Sequence, residues 1–260
     1  MYQPETVALN FSKHAHHYDN YARIQQRAAA QMMKFVPEYL LEKEHIRILE
    51  IGCGTGLVSR NLVNVFDNAS FFITDISEEM IDTCEQELPE YARSRTKFFT
   101  LDGQTPTDLA DSEPFDLIIS GFTLHWFQNP QETLNQWFDL LAEDGCMVWS
   151  FLNRRSFPEW KTICQEINVP CTLNVLPDVE LMREPLNEKY SLEVSVIPMH
   201  QVYPSSQAFL NSIRLIGAGT SDDEQVLNVS QMRRLIHYLN ASNPYGIEIK
   251  HLVSFLTLTK

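Results

Sequence analysis

The residues best suited to chemistry are three glycines at alternate positions, in the run Leu49-Glu50-Ile51-Gly52-Cys53-Gly54-Thr55-Gly56. They follow a short apolar segment and open a helical one. Glycine lets a backbone turn tightly and approach a ligand without a Cβ in the way, and the start of a helix offers unpaired N–H groups. The spacing is neither the dinucleotide G-x-G-x-x-G nor a P-loop. It predicts a ligand-binding loop, with a glycine-rich turn of no function as the alternative.

Two acidic residues come directly after other strand candidates. Asp75 ends the segment 70–74, about 20 residues beyond the glycines, as in folds that bind a ribose, and Asp102 follows the segment 97–101 and precedes Gly103. A carboxylate can accept two hydrogen bonds from ribose hydroxyls. The alternatives are a solvent-exposed helix cap for Asp75 and a simple Asp-Gly turn for Asp102.

The segments that must position these residues alternate between strands and helices. Strand candidates lie at 46–51, 70–74, 97–101, 115–120 and 146–151, and helical patterns lie at 55–66, 78–88 and 130–141. Ser77 is expected to cap the second of these helices, and Gly145 to close the third. Short β-branched runs separated by helices predict an α/β fold with a parallel, doubly wound sheet.

The flanking regions are expected to add to this core. Residues 1–45 are predicted to form an N-terminal helical arm, with its helix near 21–41, and residues 46–260 the main domain. A half-buried strand is expected at 192–197 and a closing strand at 247–258. The stretch from about 200 to 246, with two helical patterns, then interrupts two sheet strands as an insertion that could act as a lid.

Composition excludes several classes of protein. The 260 residues carry 20 Lys plus Arg against 34 Asp plus Glu, a formal charge of −14. A dedicated nucleic-acid binder needs a basic surface, and anionic membranes repel such a chain. We expect no membrane span, since no apolar run of about 18 residues exists. Five irregularly spaced cysteines do not suggest a disulfide framework, so a cytoplasmic protein is expected.

The glycine run preceded by an acidic residue resembles motif I of the class I S-adenosylmethionine-dependent methyltransferases. That resemblance implies a Rossmann-like sheet, mostly parallel with an antiparallel last strand, and S-adenosylmethionine as methyl donor without a metal. Asp102 would then approach the adenine, and the run from Phe115 to Trp126 would face the donor. The donor-binding residues that it implies are Tyr18, Gln25, Glu50, Gly52, Gly54, Gly56, Asp75, Ile76, Asp102, Gly103 and Ser120.

The whole chain resembles one branch of that superfamily, the malonyl-[acyl-carrier protein] O-methyltransferases of biotin synthesis. The N-terminal run from Phe11 to Gln25 is similar to the branch's Phe…Ala…Tyr-Asp-x-x-Ala-x-x-Gln arm, and Leu124-His125-Trp126 is similar to its Leu-Gln-Trp or Leu-His-Trp element. The segment from Phe209 to Gly219 looks like its lid helix, with Arg214 at the basic position. The resemblance implies malonyl-acyl carrier protein as substrate, and transfer of a methyl group to its free carboxylate.

Four residues are candidates for the chemistry that the resemblance implies. A malonyl carboxylate is ionised at pH 7 and needs no general base, so we expect Arg214 to pair with it, Tyr18 to close over the donor, and His125 and Trp126 to line the substrate channel. Each could instead be structural or solvated. Because carrier proteins are acidic, docking would need a local basic patch, with Arg154, Arg155 and Lys161 or Arg233 and Arg234 as candidates.

Two other functions remain open at this point. A small-molecule methyltransferase of the same fold could act on a free carboxylic acid or on a hydroxyl, and a hydroxyl would need His125 as a base. The second alternative is a non-catalytic partner subunit that binds the S-adenosyl ligand.

Overall fold

A computed structural model describes residues 4–109, 112–172, 175–187, 190–216 and 227–260. Within these ranges seven strands form one sheet in the order β3-β2-β1-β4-β5-β7-β6. In chain order the strands β1 to β7 are Ile46–Ile51, Ala69–Asp75, Thr96–Thr100, Phe115–Gly121, Leu141–Leu152, Ser191–Tyr203 and Ile247–Thr259. The first five strands run parallel, and β7 lies antiparallel between β5 and β6. The predicted fold class, with its antiparallel last strand, is therefore confirmed.

Helices flank this sheet and precede it. The helices of the described part, α1 to α12, are Pro4–His14, Tyr18–Tyr21, Arg23–Met32, Glu38–Leu41, Leu57–Val65, Glu78–Glu87, Glu90–Arg93, Pro130–Asp139, Pro158–Glu166, Val179–Asn187, Ser206–Leu215 and Val229–Ser242. No helix in these ranges is long and apolar enough to cross a membrane.

Both faces of the sheet are buried, which explains why its central strands are apolar throughout. On one face, Ile48 and Phe71 pack with Ala28 of α3 and Leu62 of α5. On the other face, side chains of β1, β4 and β5 pack against α8 and α10, with Trp137 and Trp149 fully buried. A third apolar cluster joins α9, α11 and α12 with the start of β7.

The carboxyl ends of the parallel strands meet at one edge of the sheet. In the register, Ile51 lies opposite Thr74 and Asp75 lies opposite Thr100. The glycine loop after β1, Asp75 at the end of β2 and the loops after β3 and β4 therefore lie at the same edge, where open α/β sheets bind ligands.

Two local predictions are wrong. The arm is not one helix over 21–41, because it breaks into α2, α3 and α4, and a further helix, α1, precedes them. Gly145 does not close the third core helix, because α8 ends at Asp139 and Gly145 lies inside β5, where the pairing with β4 shifts register. The positive φ in this stretch, 59°, belongs to Asp144.

The segment between β6 and β7 contains α11 and α12, the two helices expected there. Residues 217–226, which include the end of the lid-like segment at Gly217 to Gly219, lie outside the described residues. The division into an arm over 1–45, a main domain over 46–260 and a lid at about 200–246 stays a prediction.

Candidate active site

A cavity opens at the carboxyl edge of the sheet. We call it the main cavity. Its walls come from α1, α2, the glycine loop and the loops that follow β2, β3 and β4. The lining residues are Pro4, Val7, Phe11, Tyr18, Ile51, Gly52, Gly54, Asp75, Ile76, Met80, Leu101, Asp102, Gly103, Gln104, Gly121, Phe122, Thr123, Trp126 and Phe127. A second, smaller cavity shares Tyr18, Gly52, Gly54, Gly121 and Phe122 with it and adds Gln25.

The glycine loop is possible only because its three glycines adopt positive φ values. These are 69° at Gly52, 54° at Gly54 and 86° at Gly56, a region that other residues rarely adopt. A Cβ on Gly52 would lie 2.1 Å from Cγ2 of Thr123, whereas one on Gly54 would meet nothing within 4 Å. Gly52 therefore allows the loops after β1 and β4 to touch, and the backbone at Gly54 faces open space.

Asp75 ties the loop to the next helix. Its Oδ2 accepts a hydrogen bond from the Gly54 N–H at 2.8 Å, and its Oδ1 accepts one from the Ser77 N–H at 2.9 Å. Burial raises the pKa of this carboxyl, and the backbone hydrogen bonds oppose that shift. Each carboxylate oxygen has a second lone pair, so the side chain, which lines the main cavity, can still accept hydrogen bonds from a ligand.

The cap of that helix is formed as predicted. The Ser77 Oγ accepts a hydrogen bond from the Met80 N–H at 3.2 Å. The arm also reaches this point, because the Ser12 Oγ lies 2.8 Å from the Ser77 Oγ and donates to Glu79 Oε2 at 2.6 Å. The start of α6 thus anchors α1 beside the main cavity.

Asp102 and Gly103 form a tight turn beside the cavity. The Asp102 carboxylate accepts a hydrogen bond from the Gln104 N–H at 2.9 Å, and the Gly103 carbonyl accepts one from the Trp137 Nε1 at 2.8 Å. A Cβ on Gly103 would lie 2.8 Å from Cγ2 of Ile51 and 2.9 Å from Cζ of Phe127. Glycine is therefore required at this turn, which presents Asp102 to the main cavity.

The arm supplies an aromatic wall. The Phe11 ring meets Trp126 edge-on with centroids 5.3 Å apart, and it lies 6.4 Å from the half-buried Tyr18. Burial raises the pKa of Tyr18, and the nearby Asp19 and Asp75 raise it further, so its hydroxyl is protonated at neutral pH. Tyr18 therefore lines both cavities as a neutral hydrogen-bonding group.

Several predicted residues do not line either cavity. Glu50 is buried behind the glycine loop, where its Oε2 accepts a 2.5 Å hydrogen bond from Ser59. Gly56 packs against Cys84, which a Cβ would approach to 2.9 Å. Ser120 is buried and donates to the Ile51 carbonyl at 2.7 Å. These three shape the loops around the cavities from behind.

His125 and Arg214 also lie outside both cavities. Burial lowers the pKa of His125 to about 4, its Nδ1 is buried, and its ring lies 5.3 Å from that of Trp126. Arg214 is exposed in the last turn of α11, a helix that packs beside α2. No Lys or Arg lines the cavities in the described part of the chain.

Sequence reasoning missed the part of the wall that comes from the start of α1. Pro4, Val7 and Phe11 recur at helical spacing, a signal that could have identified α1. Phe122, with φ of 60°, and Thr123 line the main cavity and belong to the run from Phe115 to Trp126 that the resemblance implies would face the donor.

The electrostatics of the main cavity suit a cationic ligand that carries hydroxyl groups. Two carboxylates, Asp75 and Asp102, line it together with apolar and aromatic side chains. S-adenosylmethionine has this chemistry, with a positive sulfur, a ribose and an adenine, so the residues present fit it. The described ranges hold no group of three His, Cys, Asp or Glu side chains that could bind a metal.

The comparisons with known proteins agree with this geometry. A sequence profile of the methyltransferase domain matches residues 49–147. Among solved structures, YcgJ of Bacillus subtilis superposes with a TM-score of 0.61 at 12% identity, over 90% of this chain and 98% of that one. Phosphoethanolamine N-methyltransferase 2 of Haemonchus contortus, solved with S-adenosyl-L-methionine, gives 0.57 at 14% identity, over 96% of this chain and 57% of that one. Fold and site together define a class I S-adenosylmethionine-dependent methyltransferase.

Sequence relatives narrow the class. A malonyl-[acyl-carrier protein] O-methyltransferase of Magnetococcus marinus is 31% identical over 88% of this chain and 83% of its own length. One from Bacillus cereus is 26% identical over 94% of this chain and 92% of its own length. The chain belongs to the malonyl-[acyl-carrier protein] O-methyltransferase family.

The contact between Gly52 and Thr123 gives a prediction for the glycine loop. We expect Gly52→Ala to weaken binding of S-adenosylhomocysteine at least tenfold, because left-handed φ costs about 1–2 kcal/mol for other residues and the new methyl group collides with Thr123. Calorimetric titration measures the affinity.

The double variant Gly52→Ala with Thr123→Ser serves as the matched test, since serine lacks the colliding Cγ2 but keeps the hydroxyl near Ser120. Partial recovery of binding is expected. No recovery would show that the collision is not the cause.

The buried Glu50 gives a pH prediction. Burial raises its pKa from an ordinary 4.5 to about 8, against the opposing hydrogen bond from Ser59. The folded protein therefore binds this proton more tightly than the unfolded chain does, and the resulting stabilisation is lost as pH rises from about 4.5 through 8.

Glu50→Gln keeps the shape of the side chain without the titration. Relative to wild type, the free energy of unfolding of the variant should therefore rise between pH 6 and pH 9, by about 1 kcal/mol or more. Urea unfolding at both pH values measures it, and a difference that does not change with pH would contradict the raised pKa.

Proposed function

We propose that this chain methylates the free carboxylate of malonyl-acyl carrier protein, with S-adenosylmethionine as methyl donor, in the synthesis of a biotin precursor. The observation that carries the proposal is the family membership of the chain over most of its length, joined to a cavity with acidic and aromatic walls at the carboxyl edge of the sheet.

The residues of the main cavity divide into groups with different proposed tasks. Asp75 would accept hydrogen bonds from the ribose hydroxyls, and Asp102 and Gly103 would border the adenine. Gly52, Gly54 and Gln25 would hold the amino-acid end, where the second cavity continues. When bound, the donor supplies an electrophilic methyl group on a positively charged sulfur.

The acceptor side needs no base. A malonyl carboxylate is ionised at neutral pH, so its oxygen can attack directly, and the enzyme's part is to orient the reactants and exclude water. Phe11, Tyr18 and Trp126 form a wall suited to that exclusion. The cavities lack a Lys or Arg lining in the described ranges, so neutral groups such as the Tyr18 and Thr123 hydroxyls would hold the carboxylate there and would reduce its nucleophilicity less than an ion pair would.

The same observations disfavour methylation of a hydroxyl. That reaction needs a base at the acceptor, and His125, the candidate, lies outside both cavities with its pKa lowered to about 4 by burial. Such a group is a weak base. Arg214 remains a proposed partner of the substrate, because α11 packs beside the helix that bears Tyr18.

The docking surface for an acidic carrier protein must be a local patch of positive charge, since the chain as a whole has a formal net charge of −14. Arg154 is paired with Asp178 at 3.3 Å, and the Lys161 amine donates to the Arg154 carbonyl. Arg233, Arg234 and His237 line an open surface groove on α12, where the Arg234 guanidinium donates to the Ile167 carbonyl. The α12 groove is the better candidate of the two patches, because its arginines, unlike Arg154, are not paired with a carboxylate in the described part of the chain.

The direct test is intact-mass spectrometry of malonyl-acyl carrier protein after incubation with the enzyme and S-adenosylmethionine. The proposal predicts one added methyl group on the carrier protein and little methylation of free malonate. A parallel reaction with malonyl-coenzyme A shows whether the enzyme also accepts that thioester. Consumption of the donor with a hydroxyl compound but not with any malonyl thioester would contradict it.

The proposed role of Asp75 has its own test. Hydrogen bonds to a charged group contribute about 1.5–3 kcal/mol each, so Asp75→Ala should weaken S-adenosylhomocysteine binding by tenfold or more in calorimetry. Glu248→Gln is the matched control, since Glu248 is an exposed acidic residue that pairs with His200 and lines neither cavity. Unchanged affinity in Asp75→Ala, with a normal unfolding transition, would remove Asp75 from the site.

A further inference from the structure

We propose that Asp19 is a positioning residue, which fixes the arm helix α2, and with it Tyr18, on the glycine loop through Thr55 and Arg60. The inference rests on the donor half of the proposed function. It assigns a role to a residue that contacts the loop but lines neither cavity.

Both oxygens of the Asp19 carboxylate are used. Oδ1 accepts a hydrogen bond from the Thr55 Oγ1 at 2.5 Å, and Oδ2 accepts one from the Arg60 Nη2 at 2.8 Å. Thr55 is buried, and the side chains of Arg60 and Asp19 are only 28% and 39% exposed. Partial burial makes this ion pair more effective than a fully solvated one.

Arg60 joins three segments through one guanidinium group. Besides the bond to Asp19 in the arm, its Nη1 donates to the Thr55 carbonyl at 3.1 Å and to Glu87 Oε2 of α6 at 3.3 Å. The planar, multidentate guanidinium can make these contacts together, which a lysine cannot do. The arm is therefore held to the same loop whose Gly54 N–H contacts Asp75.

The contacts of Asp19 matter for the site because Asp19 directly follows Tyr18 in the chain. Tyr18, its neighbour, lines both cavities, and the arm has a second attachment at Ser12 on the start of α6. The segment between the two attachments ends at Tyr18, in the wall of the main cavity. Releasing the Asp19 end would free Tyr18 from the wall while leaving the sheet and its core unchanged.

The position also suits a negative charge. Thr55 comes directly before Gly56, the N-cap of α5, and the start of a helix favours a nearby carboxylate. A carboxamide at position 19 would keep the shape but lose both this effect and the ion pair.

The test is calorimetric binding of S-adenosylhomocysteine to the full chain and four variants. We expect Asp19→Ala and Arg60→Gln each to weaken binding about tenfold, the size of one charge-assisted hydrogen bond. The loss in the double variant should be smaller than the product of the two single losses, because both single variants remove the bond between Asp19 and Arg60. Glu87→Gln, which removes only the exposed outer contact of Arg60, should bind within twofold of wild type.

A second readout separates positioning from general stability. Saturating S-adenosylhomocysteine should slow tryptic cleavage after the exposed Lys13 in the wild type and in Glu87→Gln, and should not slow it in Asp19→Ala. Thr55→Ser should keep the protection and Thr55→Val should lose it, since only serine retains the hydroxyl that donates to Asp19.

Affinity within twofold of wild type in both Asp19→Ala and Arg60→Gln would overturn the inference. So would losses that multiply in the double variant, because the two residues would then act independently. Neither measurement uses the methyl acceptor. A failure to methylate malonyl-acyl carrier protein would therefore contradict the proposed function. It would not affect the test of Asp19, which depends only on binding of S-adenosylhomocysteine.

Discussion

The geometry of the site depends on how β2 ends. The carboxylate of Asp75 accepts hydrogen bonds from Gly54 in the loop after β1 and from Ser77 at the start of α6. Those two bonds hold the left-handed backbone of the glycine loop against the neighbouring strand, with Cys53 bonded to the Thr74 carbonyl at 2.8 Å. The position of the loop decides where the cavity opens and which N–H groups face it.

The arm completes a site that the sheet leaves open. Parallel strands bring their loops to one edge, but an edge alone does not exclude water. Here α1 and α2 cover it with Phe11 and Tyr18, and the polar contacts of Ser12 and Asp19 hold these two helices in place. Methyl transfer to an ionised carboxylate requires oriented reactants and the exclusion of water more than it requires proton transfer. The aromatic side chains of Phe11 and Tyr18 in the wall suit that requirement.

Much of this could be predicted from the sequence, because the core obeys local rules. Strands β1 to β4, the Ser77 cap and the glycine loop each have a signal in periodicity or residue type, and the structure confirms them. Gly145 was misleading because a glycine after a helical pattern is usual at a helix end, whereas here it serves an irregular start of β5. The contacts of Asp19 with Thr55 and Arg60 join residues 36 and 41 positions apart, and no local pattern reports such a meeting. The exposed position of Arg214 likewise follows from tertiary packing.

The proposed reaction is the transfer of a methyl group to a carboxylate oxygen of a carrier-bound malonyl group. The most direct measurement uses donor labelled with carbon-13 in the methyl group, malonyl-acyl carrier protein as acceptor, and carbon NMR of the product before and after mild base. We expect a single methyl-ester signal, which disappears when mild base hydrolyses the ester and releases labelled methanol. A labelled methyl group on carbon, nitrogen or another oxygen of the carrier protein, stable to base, would contradict it.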